Sequence, residues 1–311
     1  MSAELPIIAV TLGDPAGVGP EIACKALAEP AVHACCRPLL VGSRQIVEQV
    51  AAHLKLTVPS GLVDTGEVGP IARGAVSAAA GAAAAAAIEE AIAGTRAGRY
   101  AALVTNPINK AAIHAAKLPF PGHTEWLAAR CGVVGETMLM YHEELAVALA
   151  TCHMPLLDVP AALSPQRIVE VGRLLHDALL RIRGRKPRLA ICGFNPHAGE
   201  GGLFGRQDEV VAPAVYELQQ LGIDCDGPLP PDTAFTPANR KRYDGIVALY
   251  HDQGLIAFKA LYFDTGVNVT MGLPIIRTSV DHGTAFDIAW QGIAQHRSLV
   301  EAIKLAARLA G

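Results

Sequence analysis

Short runs rich in Val, Ile and Leu alternate along the whole chain with amphipathic or Ala-rich segments. Continuous apolar runs are typical of strands that helices cover on both faces, whereas strands covered on one face alternate between apolar and polar residues. The pattern therefore predicts an α/β fold with a mainly parallel sheet. The predicted strands cover residues 7–11, 38–41, 101–105, 146–151, 188–192 and 245–250.

Two of the segments between these strands are predicted to be helices. Ser164 and Pro165 suit the N-cap and first turn of a helix whose apolar residues recur at helical spacing until Gly184. The Ala-rich residues 75–87 run directly into Glu89. This stretch is therefore a poor membrane span, and a closely packed helix is favoured.

The length of 311 residues allows a single catalytic unit (1–311) built from two interleaved α/β subdomains, because no Ser/Gly linker or repeat separates independent domains. The formal net charge of -3, without a long basic run, makes nucleic acid an unexpected partner. The seven cysteines are scattered without a CxxC pair, and the N-terminus lacks a basic region. We therefore expect a cytoplasmic protein without a disulfide framework or an export signal.

Three histidines follow closely after predicted strands, where ligands gather in open α/β sheets. These are His153, His197 and His251. Imidazoles from three strands could bind one divalent metal ion and leave a position open for a substrate hydroxyl, whose pKa the metal would lower. Taken singly, each histidine is more often a hydrogen-bonded core or cap residue. Only their shared position favours a metal site.

Two glycine-rich segments also follow predicted strands. GDPAGVGPE (13–21) precedes a predicted helix, and GFNPHAGEGGLFGRQDE (193–209) precedes another with acidic residues in its first turn. Glycine lets a backbone approach an anion or a dinucleotide closely, but neither segment has the P-loop or the GxGxxG pattern. A tight turn that serves packing is the alternative for both segments, and it is favoured for residues 13–21.

Residues 250–289 form an unusually polar segment that is interrupted by glycines. Within it, Lys259 and Arg277 could bind a phosphate, Lys as a point charge and Arg through its bidentate fork. Considered singly, each is more often a surface charge. The polar residues of this segment are His251, Asp252, Lys259, Asn268, Arg277, Asp281 and His282.

At these residues the chain closely resembles the 4-hydroxythreonine-4-phosphate dehydrogenase family of the pyridoxal-phosphate pathway. The resemblance covers almost the whole chain, and the family's segments occur in the family's order. The matching segments are GDPAGVGPE, VTNPINK, PGHTE, ALATCHMPL, GFNPHAGEGG, YHDQG, GVNVTMGLP and RTSVDHGTAFDIA.

The resemblance implies a three-layer α/β/α fold similar to isocitrate and isopropylmalate dehydrogenases, with the active site in a cleft between subdomains. It also implies a homodimer that binds NAD or NADP without a Rossmann loop, and one divalent metal ion, Zn, Mg or Co. The metal ligands carried over are His153, His197 and His251, the last contributed by the partner subunit. The substrate contacts carried over are His123, Thr124, Lys259, Asn268 and Arg277.

The activity implied is NAD-dependent oxidation of 4-phosphohydroxy-L-threonine to a 3-oxo acid, which decarboxylates to 3-amino-2-oxopropyl phosphate. Phosphothreonate or an aromatic cis-diol carboxylate is the alternative substrate, and a non-catalytic phosphate- or nucleotide-binding protein is the alternative class. The general base stays open among Asp232, Asp252 and Lys259. Without the resemblance, PGHTE reads as a turn in which Thr124 caps a helix.

Overall fold

The computed structural model describes residues 4–120 and 122–311, so Pro121 of the PGHTE motif lies outside the described residues. The strands are β1 (Ile7–Thr11), β2 (Arg37–Gly42), β3 (Leu62–Asp64), β4 (Ala102–Thr105), β5 (Thr137–His142), β6 (Leu145–Leu149), β7 (Leu189–Cys192), β8 (Cys225–Leu229), β9 (Gly245–Ala248), β10 (Val267–Met271) and β11 (Arg277–Val280).

Helices occupy most of the segments between the strands. They are α1 (Gly19–Ala26), α2 (Pro30–His33), α3 (Arg44–Leu54), α4 (Ala78–Arg96), α5 (Lys110–Ala115), α6 (His123–Cys131), α7 (Val159–Ala162), α8 (Pro165–Arg183), α9 (Val211–Gln220), α10 (Pro231–Ala234), α11 (Pro237–Arg242), α12 (His251–Tyr262) and α13 (Arg297–Ala310). Short 3-10 turns cover Leu156–Asp158, Gln207–Val210 and Phe286–Ile288, and the turn Pro196–Gly202 contains non-helical backbone angles.

The chain divides into two compact units. Unit 1 consists of the residues up to Glu136 together with Leu273–Gly311, and unit 2 is the continuous segment Thr137–Gly272. The chain therefore leaves unit 1 after Glu136, builds unit 2, and returns to unit 1 for its last strand and helix.

Unit 1 is a parallel sheet with strand order β3-β2-β1-β4-β11, covered by helices on both faces. Leu103 of β4 packs in a core cluster with Ile88 of α4. Thr278 of β11 pairs with Val104 and donates its hydroxyl to the carbonyl of Ala302 in α13. Because Leu103 and Val104 are neighbours and point to opposite faces, α4 and α13 lie on opposite sides of this sheet.

Unit 2 has the strand order β10-β5-β6-β9-β7-β8. Strands β6, β9, β7 and β8 are parallel, whereas β5 is antiparallel to both β6 and β10. Ile246 of β9 clusters with Phe258 of α12, while its neighbour Gly245 lies against Leu179 of α8. Helices α12 and α8 therefore cover opposite faces, and each unit is a three-layer α/β/α arrangement.

The α/β prediction is confirmed. All six predicted strands are present with small shifts at their ends, and α8 begins after Ser164 and ends before Gly184 as expected. The antiparallel β5 and the strands β3, β8, β10 and β11 were not predicted. None of the helices in the described part of the chain is long and apolar enough to cross a membrane.

Candidate active site

Two of the three predicted metal histidines lie at one cavity in unit 2. Strands β6 and β9 are parallel neighbours, so the segments that follow them emerge at the same sheet edge. His153 lies in the loop after β6, and His251 is the first residue of α12. Their ring centroids are 5.5 Å apart. Both line a cavity of 320 Å³ together with Cys152, Met154, Leu156, Val159, Tyr250 and Asp252.

The His251 ring is oriented by the residue that follows it. Its Nδ1 lies 2.7 Å from Oδ1 of Asp252, which is hydrogen-bond distance. When Nδ1 donates its proton to this carboxylate, Nε2 keeps a free lone pair, which is the arrangement that metal-binding histidines commonly show. The Asp252 carboxylate therefore favours the ligand tautomer of His251.

The third histidine, His197, lies in a loop with an unusual backbone. From His197 to Gly201 all five residues have positive φ angles, of 52°, 54°, 76°, 41° and 68°. For the residues other than glycine, this left-handed conformation costs about 1–2 kcal/mol each. Contacts with other parts of unit 2 must therefore hold this loop.

One such contact comes from Gln253, which the sequence interpretation missed. Its Nε2 donates to the carbonyl of Gly193 at 2.8 Å, and its Oε1 accepts from the backbone N–H of Leu249 at 2.6 Å. Gln253 thus ties the beginning of α12, where His251 lies, to the beginning of the loop that carries His197. Gln253 belongs to the YHDQG motif. Its contact with Gly193 could not be predicted from the sequence, because it depends on the pairing of β7 with β9.

The three histidines do not form a complete metal site within the described residues of one chain. Within residues 4–120 and 122–311, no group of three His, Cys, Asp or Glu side chains is arranged to hold a metal ion. His153 and His251 share a cavity, whereas His197 is not among the residues that line it. The imidazoles and the Asp252 carboxylate are chemically suited to a divalent ion, so the donor set fits while its assembly within one chain is incomplete.

The other unit 2 candidates lie away from this cavity lining. Lys259 is half-buried on α12, with its Nζ 5.9 Å from the ring centroid of Phe263. Asn268 is half-buried on β10, and Asp232 is exposed in the first turn of α10. Of the three candidates for the general base, Asp252 lines the histidine cavity, whereas Asp232 and Lys259 are not among its lining residues.

Unit 1 contains the buried Arg277 and the half-buried His123, and the charge of Arg277 lowers the pKa of His123. Arg277 is only 4% exposed, so its interpretation as a surface charge was wrong. Its Nε and Nη2 donate to the hydroxyl of Thr105 at 3.2 and 2.7 Å. Burial lowers the pKa of Arg277 to about 10, which leaves it charged at neutral pH.

His123 is kept neutral by the same environment. Burial, and secondarily the charge of Arg277, hold its pKa well below the usual value for an imidazole. Its Nε2 is buried and has no hydrogen-bond partner among the described residues. A buried cation beside an unsatisfied imidazole suits an anionic ligand group.

Thr124 is the second residue of α6, and Gly122 is the N-cap, so the assignment of Thr124 as the cap was wrong.

Two further polar side chains were missed by the sequence interpretation. Asp14 and Asn106 follow the neighbouring strands β1 and β4 and are 1% and 0% exposed. Asp14 Oδ2 and Asn106 Oδ1 have no hydrogen-bond partner within the described part of the chain. Burial is the largest cause that raises the pKa of Asp14 to about 6. Two buried acceptors at adjacent strand ends suit a ligand that donates hydrogen bonds.

The glycines of residues 13–21 serve packing, as the favoured interpretation of this segment predicted. A Cβ atom at Gly17 would lie 2.8 Å from the carbonyl oxygen of Thr284, so only glycine fits against the segment that follows β11. The residue of this turn that is suited to bind a ligand is Asp14. The motif that contains Asp14 was seen in the sequence, but the burial of its carboxyl was not, because it depends on the distant segment at Asn106.

A sequence profile of the family described as pyridoxal phosphate biosynthetic protein PdxA matches residues 34–306. The chain belongs to the PdxA family. It is 45% identical to D-threonate 4-phosphate dehydrogenase of Cupriavidus necator, over 100% of this chain and 99% of that protein. It is also 45% identical to 4-hydroxythreonine-4-phosphate dehydrogenase of Xanthobacter autotrophicus, over 100% of this chain and 95% of that protein.

A solved PdxA-family structure confirms the fold. The crystal structure of 4-hydroxythreonine-4-phosphate dehydrogenase from Klebsiella pneumoniae superposes with a TM-score of 0.87 at 39% identity. The match covers 98% of this chain and 100% of that one. The family assignment and the α/β architecture therefore agree with the resemblance seen in the sequence.

Proposed function

We propose that this PdxA-family chain is a divalent-metal-dependent dehydrogenase that oxidises 4-phosphohydroxy-L-threonine with NAD or NADP, as part of pyridoxal-phosphate biosynthesis in the cytoplasm. The observation that carries the proposal is the cavity at which His153 and His251 meet, with the His251 ring oriented by Asp252. The seven cysteines, all within the described residues, form no disulfide, which suits a reducing compartment.

In this proposal, His153, His197 and His251 hold the metal, which is Zn, Mg or Co. A bound divalent ion lowers the pKa of a coordinated hydroxyl and polarises a carbonyl at the same position. The ligand tautomer of His251 is maintained by Asp252. Gln253 and the strand ends keep the His197 loop near the start of α12. The chain's own contribution at this site is thus the placement of the imidazoles.

The substrate's anionic groups are bound by the remaining candidates. Arg277 supplies a buried charge, and His123 supplies a neutral imidazole whose Nε2 is available for a hydrogen bond. Thr124, Lys259 and Asn268 complete the proposed contacts. Asp232, Asp252 and Lys259 stay the candidates for the base that accepts the hydroxyl proton.

The overall reaction balances with NAD as the only oxidant. The hydride leaves C3 for NAD, and the hydroxyl proton goes to the base, which gives NADH and a 3-oxo acid. The carboxylate β to the new ketone then leaves as CO₂, and protonation of the remaining carbon gives 3-amino-2-oxopropyl phosphate. No other cosubstrate is required.

D-threonate 4-phosphate is a second candidate substrate, because the relatives named for the two substrates are equally similar to this chain, at 45% identity each. The two compounds share the 4-phosphate and the 3-hydroxyl and differ in the group at C2. Arg277, His123 and the metal histidines suit either compound, since none of these proposed roles involves the C2 substituent.

We also propose that the enzyme is a homodimer whose subunits together complete each metal site. Within the described part of one chain the three-ligand set is not assembled. Large apolar side chains in the segments that carry the three histidines are exposed on unit 2, and a second copy would remove them from water. These exposed residues are Met154, Leu156, Leu157, Leu203, Phe204, Ile256, Leu261 and Phe263.

Substrate and metal dependence are tested in one experiment. The purified protein is treated with a chelator, supplied with Zn²⁺, Mg²⁺ or Co²⁺, and assayed for NADH and NADPH absorbance with each phosphorylated substrate. We expect no turnover without metal and a higher kcat/KM for 4-phosphohydroxy-L-threonine. A higher kcat/KM for D-threonate 4-phosphate would overturn the substrate assignment, and full activity after chelation would overturn the metal assignment.

Sharing of the site between subunits is tested with mixed dimers. Variants His197→Gln and His251→Gln are each expected to be inactive. When they are unfolded, mixed in equal amounts and refolded, half of the dimers are mixed, and each of these has one intact site if the ligands come from different subunits. About a quarter of the wild-type activity should then return. If no activity returns while refolded wild type is active, all ligands come from one chain.

A further inference from the structure

The loop that carries His197 wraps around the carboxylate of Asp208. Asp208 Oδ1 accepts from the backbone N–H of Phe194 at 2.5 Å, and Oδ2 accepts from the backbone N–H of Asn195 at 3.1 Å. The Asn195 side chain adds a hydrogen bond from Nδ2 to Asp208 Oδ2 at 2.8 Å. One side chain therefore satisfies three donors of the segment that leads into His197.

The packing around this carboxylate is close. Asp208 is only 9% exposed. A Cβ atom at Gly193 would lie 2.7 Å from Asp208 Oδ1, and a Cβ atom at Gly199 would lie 2.8 Å from Oδ2. The glycines on both sides of His197 thus allow the backbone to approach the carboxylate, and larger residues would push the loop away.

The sequence pattern alone suggested another role for Asp208, as an acidic residue in the first turn of a helix. The structure places it in the 3-10 turn Gln207–Val210 that precedes α9, with its side chain turned toward the His197 loop. Its neighbour Glu209 is exposed and pairs with Arg206 instead, with 2.7 Å between Oε1 and Nε. Asp208 therefore binds the His197 loop, whereas Glu209 forms an exposed ion pair.

We propose that Asp208 is a positioning residue that holds His197 in the geometry required of a metal ligand. This inference rests on the proposed function, in which His197 binds the divalent ion. The left-handed run from His197 to Gly201 cannot be maintained by local preference, because three of its residues are not glycine. The hydrogen bonds to Asp208 fix Phe194 and Asn195, which precede the left-handed run. They thereby fix the direction in which the His197 side chain points.

Metal affinity of the intact protein tests this role directly. Metal-free Asp208→Asn is titrated with Co²⁺ alone, and binding is followed by isothermal calorimetry and by the visible absorption of the bound ion. Asparagine keeps the shape of aspartate but replaces one acceptor with a donor, which faces the N–H groups of the loop. We expect the Kd for Co²⁺ to rise about 10- to 100-fold, as for other residues that orient metal ligands.

Glu209→Gln is the matched control, because it removes a carboxylate from the neighbouring, exposed position and should leave the Kd for Co²⁺ unchanged. At saturating Co²⁺, the Asp208→Asn absorption spectrum should also differ from wild type, which a loss of stability alone would not cause. Asn195→Ala removes one of the donors to Asp208 and should weaken Co²⁺ binding less than Asp208→Asn does. This second variant decides the question if Asp208→Asn does not fold.

The outcomes separate this inference from the proposed function. If His197→Gln loses Co²⁺ binding while Asp208→Asn and Asn195→Ala both bind Co²⁺ like the control, the positioning role is refuted and the metal site stands. If His197→Gln itself binds Co²⁺ with wild-type affinity and spectrum, His197 is not a ligand, and both proposals fail.

Discussion

The glutamate at the end of GDPAGVGPE anchors a distant segment of unit 1, and its replacement by glutamine should destabilise the protein strongly. Glu21 is fully buried. Its Oε1 and Oε2 accept from the backbone N–H groups of Ala294 and Gly292 at 2.9 and 3.1 Å. Lys25, one turn later, donates to the carbonyl oxygens of the same two residues and to Glu21 at 2.6 Å. The Glu21–Lys25 ion pair thus binds both the backbone N–H and the backbone carbonyl of Gly292 and of Ala294.

The magnitude follows from what glutamine cannot replace. Glu21→Gln keeps one acceptor oxygen, so one of the two backbone N–H groups loses its partner; for the N–H of Ala294, which is buried, this costs about 1–3 kcal/mol, and for that of the exposed Gly292 it costs less. The variant also removes the charge that Lys25 faces, and breaking a buried pair costs about 3–5 kcal/mol. Lys25 is partly exposed and keeps its carbonyl partners, which reduces the second cost. We expect a loss of about 2–4 kcal/mol in the free energy of unfolding.

The assay is urea unfolding at one fixed protein concentration, followed by circular dichroism. The matched control is Glu48→Gln, which removes the acid of another i,i+4 pair in unit 1, with Arg44 at 3.8 Å and both side chains about half exposed. That pair should contribute less than about 0.5 kcal/mol. If Glu21→Gln and Glu48→Gln lower the free energy of unfolding equally, the anchoring role of Glu21 is refuted.

Two further predictions concern buried groups of unit 1. The pKa of Asp14 is raised to about 6 in the folded state, so wild type should lose stability as the pH rises from about 4 to 6, by about 3 kcal/mol. Asp14→Asn should lack this loss, and equal pH dependence of both proteins in urea unfolding would contradict the raised pKa. Arg277→Lys should raise the KM for the phosphorylated substrate about 10- to 100-fold with little change in kcat, because the guanidinium fork is lost. Steady-state kinetics beside the exposed control Arg37→Lys measure this effect, and an unchanged KM would remove Arg277 from the substrate site.

Local signals allowed the sequence to predict part of the fold well. The Ser164 hydroxyl accepts from the N–H of Arg167 at 3.1 Å, and Gly184 takes the left-handed position that ends α8. Both ends of this helix depend on nearby residues only. Strands β10 and β11 depend on distant partners instead. Strand β11 (Arg277–Val280) is buried along its whole length, although its sequence is polar. Arg277 can be buried there because its guanidinium donates a hydrogen bond to the Thr105 hydroxyl of β4.

In the candidate site, too, the residues with local signals could be predicted and those that depend on distant partners could not. His153 and His251 could be predicted from their positions after apolar runs, and the partner of His251 is simply the next residue in the chain. Asp14 and Asn106 could not be predicted as a pair, because only the parallel pairing of β1 and β4 places their segments side by side. Their residue types were visible in the sequence, but their burial and their lack of partners were not.

Three of the residues that the sequence interpretation missed share a physical role, which is to bind backbone groups where regular secondary structure ends. Asp208 and Gln253 bind peptide groups of the loop before His197, and Glu21 binds those of the segment at Gly292. Substituting His197 removes a proposed ligand while these backbone contacts remain. Substituting Asp208 moves the loop while every proposed ligand remains. Unfolding free energy and Co²⁺ affinity should therefore change together for the residues that anchor this loop. Only Co²⁺ affinity should change for His197, whose side chain makes no hydrogen bond to the backbone of the described residues.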